Sequence, residues 1–154
     1  METKVKVSQI IKLSLLLSIC LFVYFLFVKN TGYAEKVELR MLNFLFIVGF
    51  GYYFQKELWC KGANYLQSGI LNTVMLSLGV FFFATFMLIY GNLIDPAFGE
   101  SIINSQNLPV DINYSIAVFI VLVEGVSSSM IASFILLQWY KNKLMKSKTK
   151  EKVL

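Results

Sequence analysis

Residues 116–140 read IAVFIVLVEGVSSSMIASFILLQWY, and the reading of this stretch decides the fold. As an α-helix the run extends about 37 Å, long enough for a hydrocarbon core that about 20 apolar residues cross. One carboxylate, Glu124, interrupts it, followed by the small residues Gly125, Ser127, Ser128 and Ser129. A run this apolar belongs in lipid or in the centre of a large soluble core. The rest of the chain decides between these.

Hydrophobic residues make up 57% of the 154, charged residues 15%, and the mean hydropathy is +0.67. A soluble domain carries about 25% charged residues, so this chain has too little polar surface to cover itself in water. Three further apolar runs precede the first, at 10–28, 39–59 and 65–90. The expected fold is therefore all-α: a polytopic membrane protein, a bundle of four transmembrane helices in one integral domain over 1–154. The second run is the least apolar. Its uninterrupted part, 41–54, reaches spanning length only if Lys56 and Glu57 lie at the interface, where Tyr52, Tyr53 and Trp59 fit an aromatic belt.

The basic start, the first apolar run and Gly32-Tyr33-Ala34 loosely imitate a cleaved leader. The run is longer than a leader's apolar core of about 7–15 residues, so 10–28 is read as an uncleaved span. Lys61-Gly62-Ala63-Asn64 is too brief for anything but an antiparallel hairpin between the second and third helices. The longest connector, 91–115, holds both prolines, and Phe98, Ile102 and Ile103 within it fit a short helix lying at the membrane surface as well as they fit a plain loop.

Charge sets the orientation. The net charge is +5, and six of the fourteen basic residues are lysines of the tail 141–154. The connector 91–115 is acidic (Asp95, Glu100, Asp111), whereas the amino end carries Lys4, Lys6 and Lys12. With four spans both termini share a side, and the more basic side faces the cytoplasm. The expected location is the inner (cytoplasmic) membrane, multi-pass, with both termini cytoplasmic. Lysines beside a span signal topology and contact with anionic lipid rather than nucleic acid. The expected partners are the lipid bilayer and either further copies of the chain or another membrane protein.

Glu124 is the leading candidate for a functional group, about 6–11 Å inside the outer edge of the core. A charge at that depth faces protein or a water-filled cavity as a rule. Three readings stay open: an ion or proton site, a hydrogen-bonding group paired with Asn43 or a serine of a neighbouring helix, or an acid raised to headgroup water by a shift of the helix. Ser128 shares its stripe, and Asn43 approaches its level from the second span. Gly69, Thr73 and Ser77 on the third helix and Gly125, Ser129 and Ser133 on the fourth repeat at four-residue spacing, so each set forms a close-packing face and the two are expected to meet.

Histidine is absent, no segment pairs carboxylates, and Cys20 and Cys60 have no metal-ligand spacing. No enzyme, cofactor or metal site is expected. The expected role is that of a noncatalytic accessory or structural membrane component. The alternative is a small oligomeric ion, proton or solute transporter with Glu124 lining its path.

Over about 61–143 the chain resembles the domain of unknown function (DUF) family 4199, small four-helix bacterial membrane proteins. The residues that carry the resemblance are Tyr65-Leu66-Gln67-Ser68-Gly69, the phenylalanine-rich third span, the exit Ile89-Tyr90-Gly91-Asn92-Leu93-Ile94-Asp95-Pro96-Ala97-Phe98, and Ile135-Leu136-Leu137 before Lys141. The resemblance implies a four-helix integral membrane protein and carries over no site residue.

Overall fold

The structure, a computed structural model, describes residues 7–31, 37–97 and 113–151, with side chains described outside 37–41 and 142–151. The described residues form α1 (Val7–Asn30), α2 (Val37–Cys60), α3 (Tyr65–Ile89) with a π-helical turn at Tyr90–Ile94, and α4 (Tyr114–Glu151), with no strand among them. The proposed surface helix around Phe98, Ile102 and Ile103 lies outside the described residues.

Among the described residues three helical segments are long and apolar enough to cross a membrane: Val7–Asn30, Tyr65–Ile94 and Tyr114–Lys141. The expectation of four such segments is corrected for α2. That helix has 24 residues, but Arg40, Asn43, Gln55, Lys56 and Glu57 leave it less apolar than the other three. The third span also runs further than 65–90, because the π turn carries helical backbone to Ile94. The fourth apolar segment ends at Lys141, and its helix continues through the lysine-rich tail to Glu151.

The connection from α2 to α3 is a Schellman turn. Gly62 takes φ +76, the left-handed conformation that only glycine adopts without a steric penalty. Its N–H donates to Trp59 O and the Ala63 N–H donates to Leu58 O, each at 3.0 Å. Ala63 and Leu58 are both buried, supplying the apolar contact that accompanies this cap. At the other end of α3, Asp95 N–H donates to Tyr90 O at 2.9 Å, five residues back, and the helix ends at Asp95, the residue before Pro96, which takes φ −142 and ψ 76.

The helices alternate in direction. Gln9 at the start of α1 meets Glu57 at the end of α2, Gln138 near the end of the apolar part of α4 meets Tyr65 at the start of α3, and Tyr114 at the start of α4 meets Met87 at the end of α3. The start of α1 and the basic end of α4 therefore share one end of the bundle. Helix α3 is the hub. It packs most extensively on α1 and α4, and Ser68, Asn72, Leu76, Gly79, Val80 and Phe83 are buried along it.

Inward and outward faces differ less by hydrophobicity than by size. On α1 the buried positions are Ile10, Ser14, Leu17, Ser18 and Leu21, a stripe at helical spacing. The opposite face shows Ile11, Leu15, Ile19, Val23 and Phe27 to the surroundings. Small serines mark the inside, as expected where lipid is as apolar as the core.

Candidate functional site

The polar interior of the bundle is built on α3. From α1, Ser14 Oγ donates to Met75 O at 2.7 Å. From α2, Gln55 Nε2 donates to Ser68 Oγ at 3.1 Å, and from α4, Ser133 Oγ donates to Gly69 O at 3.1 Å. Each neighbouring helix thus reaches the hub by hydrogen bonds, and α4 does so again at its two ends through Tyr114 and Gln138. In an apolar surrounding such bonds fix rotation and register, and each contributes about 0.6 kcal/mol. Ser14, Ser68 and Gln55 were not singled out in the sequence, although a polar residue inside an apolar run was signal enough, and Ser14 and Ser68 also begin the i, i+4 polar pairs Ser14/Ser18 and Ser68/Asn72.

At one end of the two small-residue stripes Ser133 meets Gly69. A Cβ on Gly69 would lie 2.9 Å from Leu137 Cδ2, and one on Gly125 would lie 2.5 Å from Val80 Cγ1. Gly69 bonded to Ser133 and Gly125 facing Val80 set the antiparallel packing of the two helices. Ser129 is fully buried and Ser133 nearly so, while Thr73 and Ser77 are half-buried. Ser129 spends its hydroxyl on its own helix, donating to Gly125 O at 2.8 Å.

Asn72 sits beside this network without joining it. Both of its amide atoms are buried and meet no hydrogen-bond partner among the described residues. Its neighbours include Gly51 of α2, at which a Cβ would lie 3.6 Å from Asn72 Nδ2. Asn43 is half-buried on α2 with its Oδ1 buried and unbonded.

Glu124 lies elsewhere. It is exposed, on the face of α4 that turns away from the other helices, and Ile120, Val123, Ile131 and Phe134 are exposed around it. The expected pairing with Asn43 or with a serine of a neighbouring helix is not what the fold builds, because Gly125 next to it is the residue that turns toward α3. Ser128 is half-buried, while Ser127 is exposed one turn from Glu124 and donates to Val123 O at 2.8 Å. Glu124 follows the start of α4 by ten residues, about 15 Å, and precedes Lys141 by about 25 Å. It therefore lies on the outside of the bundle, nearer the Tyr114 end than the Lys141 end.

The two ends of the bundle hold the ion pairs. At one, Lys29 of α1 bonds to Asp95 at 2.5 Å and to the Tyr90 hydroxyl at 2.5 Å, with its ammonium 4.6 Å from the centroid of that ring. Phe22 and Phe25 meet the same ring edge-on. At the other, Lys61 bonds to Glu57 and to Gln9 Oε1, each at 2.8 Å, and Gln9 Nε2 donates to Glu57. There Trp59 stacks on Tyr140 at 6.4 Å between centroids, which ties α2 to α4. Between α1 and α2 a groove of about 710 Å³ opens sideways, lined by apolar and aromatic side chains including Leu13, Leu16, Phe46 and Phe50, with Gly49 on its wall. Among the described residues no group of three or more His, Cys, Asp or Glu side chains is placed to hold a metal ion.

No family model, no curated protein and no solved structure matches this chain.

Proposed function

We propose that the chain is a noncatalytic integral membrane protein that acts as an accessory or structural component of the bilayer, working through lateral contacts of its outer surface. The observation that carries this reading is the position of Glu124: the one acid in the last apolar run is exposed on the outward face of α4 and not in the interior of the bundle. The interior polar groups Ser14, Gln55, Ser68 and Ser133 are engaged in bonds that tie α1, α2 and α4 to α3. The transport alternative relied on Glu124 lining a route, and its outward position favours association over conduction.

Within this proposal α2 is a fourth span. Its 24 residues extend about 36 Å, matching the height of its neighbours. Gln55 is fully buried and Asn43 half-buried, Leu42, Leu45 and Tyr53 face outward, and the exposed Lys56 lies near the end of the helix, at the interface. Both termini then lie on the basic side, that of Lys61 and Lys141, with the acidic connector opposite, which by the positive-inside rule makes that side cytoplasmic. The resemblance to DUF family 4199 is part of the same proposal and implies a bacterial inner membrane.

Flux measurements on purified protein in sealed vesicles test the reading. The expected result is proton and potassium flux equal to that of empty vesicles, for the original chain and for Glu124→Gln alike. Flux that appears with the original chain and is lost in Glu124→Gln would overturn it.

A further inference from the structure

The groove between α1 and α2 is apolar along its length and bordered by lysines at one mouth. Leu13, Leu16 and Tyr24 line it from α1, and Leu42, Phe46 and Tyr53 line it from α2. The two helices run antiparallel, with Gln9 bonded to Glu57 at one end and the Tyr24 ring 5.4 Å from that of Phe46 further along. From the bonded pair, Lys12 lies three residues on along α1 and Lys56 one residue back along α2, so the two lysines stand within about 3 Å of the same height. Residues three or four apart are neighbours on a helix surface, which sets Lys12 beside Leu16 and Lys56 beside Tyr53.

Both lysines are exposed, and neither forms an ion pair or a hydrogen bond among the described residues. The nearest carboxylate along the chain from Lys56, that of Glu57, is taken up by Lys61 and Gln9. Lys29, at the opposite end of α1, is taken up by Asp95. The mouth of the groove therefore holds two ammonium groups without a counter-charge among the described residues.

The height of the groove separates a lipid from a helix as its occupant. From Leu13 to Tyr24, and from Leu42 to Tyr53, is a rise of about 16 Å, which matches one leaflet of a hydrocarbon core ~30 Å thick. A further transmembrane helix would follow all 24 residues of α1 rather than half its height. It would also need the serine and glutamine bonds that join the helices of this bundle, whereas the groove offers rings, leucines and Gly49. A Cβ on Gly49 would meet nothing within 4 Å, so the middle of the groove is open. An acyl chain needs only apolar walls and a slot one leaflet deep, and its headgroup then stands at the level of the lysines. Basic side chains between membrane helices on the cytoplasmic side hold anionic headgroups in this way.

Resting on the reading of α2 as a span whose Lys61 end is cytoplasmic, we propose that the groove binds one anionic phospholipid of the cytoplasmic leaflet. Its phosphate sits between Lys12 and Lys56, and one acyl chain lies against Gly49.

Native mass spectrometry of the purified full chain in detergent, titrated with phosphatidylglycerol or with phosphatidylcholine of equal chain length, tests this. The expected result is one phosphatidylglycerol retained per chain, about tenfold more tightly than phosphatidylcholine. Lys12→Gln together with Lys56→Gln should abolish that preference. Lys141→Gln, at the same end of the bundle but on α4, should leave it unchanged. Gly49→Phe, which fills the groove from a position clear of the core, should release both lipids. Equal retention of the two lipids by the original chain overturns the proposal. So does a preference that survives the double lysine change, or one that falls as far with Lys141→Gln, the mark of a diffuse attraction to the basic end. A folded Gly49→Phe chain that keeps its phosphatidylglycerol overturns it too, and the exposed lysine pair decides alone if that variant does not fold. Equal retention leaves the noncatalytic reading standing, whereas flux dependent on Glu124 overturns that reading and leaves the lipid site.

Discussion

At Gly125 the backbone of α4 comes so near to α3 that a Cβ there would lie 2.5 Å from Cγ1 of Val80. Val80 is β-branched, buried and held in a tight core, so it cannot rotate away freely. This contact sets the distance between the hub and the helix that carries Glu124 on its other side. Gly125→Ala should cost about 1–3 kcal/mol as overpacking. Val80→Ala in the same chain should recover part of that loss. Gly49, at which a Cβ would meet nothing within 4 Å, is the control: Gly49→Ala should gain about 0.5–1 kcal/mol from helix propensity. Reversible unfolding in detergent micelles by added denaturing detergent measures all three.

Asn72 and Gln55 should respond in opposite directions to the same kind of change. Neither amide atom of Asn72 has a partner, so its burial carries a desolvation cost without a bond. Asn72→Leu, of similar volume beside Leu76, should raise stability by about 1 kcal/mol. Gln55→Leu removes the bond to Ser68 and should lower it by about 0.5–1 kcal/mol. The same unfolding assay distinguishes them, and a loss on Asn72→Leu would show that this amide holds something the helices alone do not supply.

Lys29 and Asp95 are partly exposed, with 21% and 31% of their side-chain surfaces accessible, so their attraction is screened by solvent. A double-mutant cycle with Lys29→Ala and Asp95→Ala should give a coupling of about 1 kcal/mol, reduced at high salt. The coupling reports how firmly the end of α1 is fastened to the exit of α3. Thermal unfolding at low and high ionic strength reads it.

Cysteine labelling separates the two sides of the membrane. Cys60 is exposed at the end shared by Lys61 and Lys141, whereas Cys20 lies half-buried within α1. A membrane-impermeant maleimide should label Cys60 in inverted vesicles and not in intact cells, and should leave Cys20 unlabelled in both. Labelling of Cys60 from outside would reverse the proposed orientation.

Much of this architecture is legible in the chain. The shortage of charge identifies lipid as the solvent, and the close spacing of the runs at 39–59 and 65–90 requires a hairpin. Gly62 in Lys61-Gly62-Ala63-Asn64 is the residue a left-handed cap demands. Of the stripes Gly69/Thr73/Ser77 and Gly125/Ser129/Ser133, Gly69 and Ser133 are bonded, whereas Gly125 faces Val80. The apolar deficit of α2 is equally plain in its composition, yet composition is silent on Gln55 being fully buried.

The sequence by itself determined the solvent of this protein, its helical segments, their order and the asymmetry of charge between the two ends, because each follows from local composition and from connector length. Only the tertiary structure decided which way each helix is turned. In water, polar and apolar faces differ and rotation can be read from their period. In lipid both faces of α4 are apolar, so rotation is set by where α3 admits a close approach, at Gly125, Ser129 and Ser133. Fixing those three inward turns Glu124 outward, and that rotation places the acid on the outer surface of the bundle.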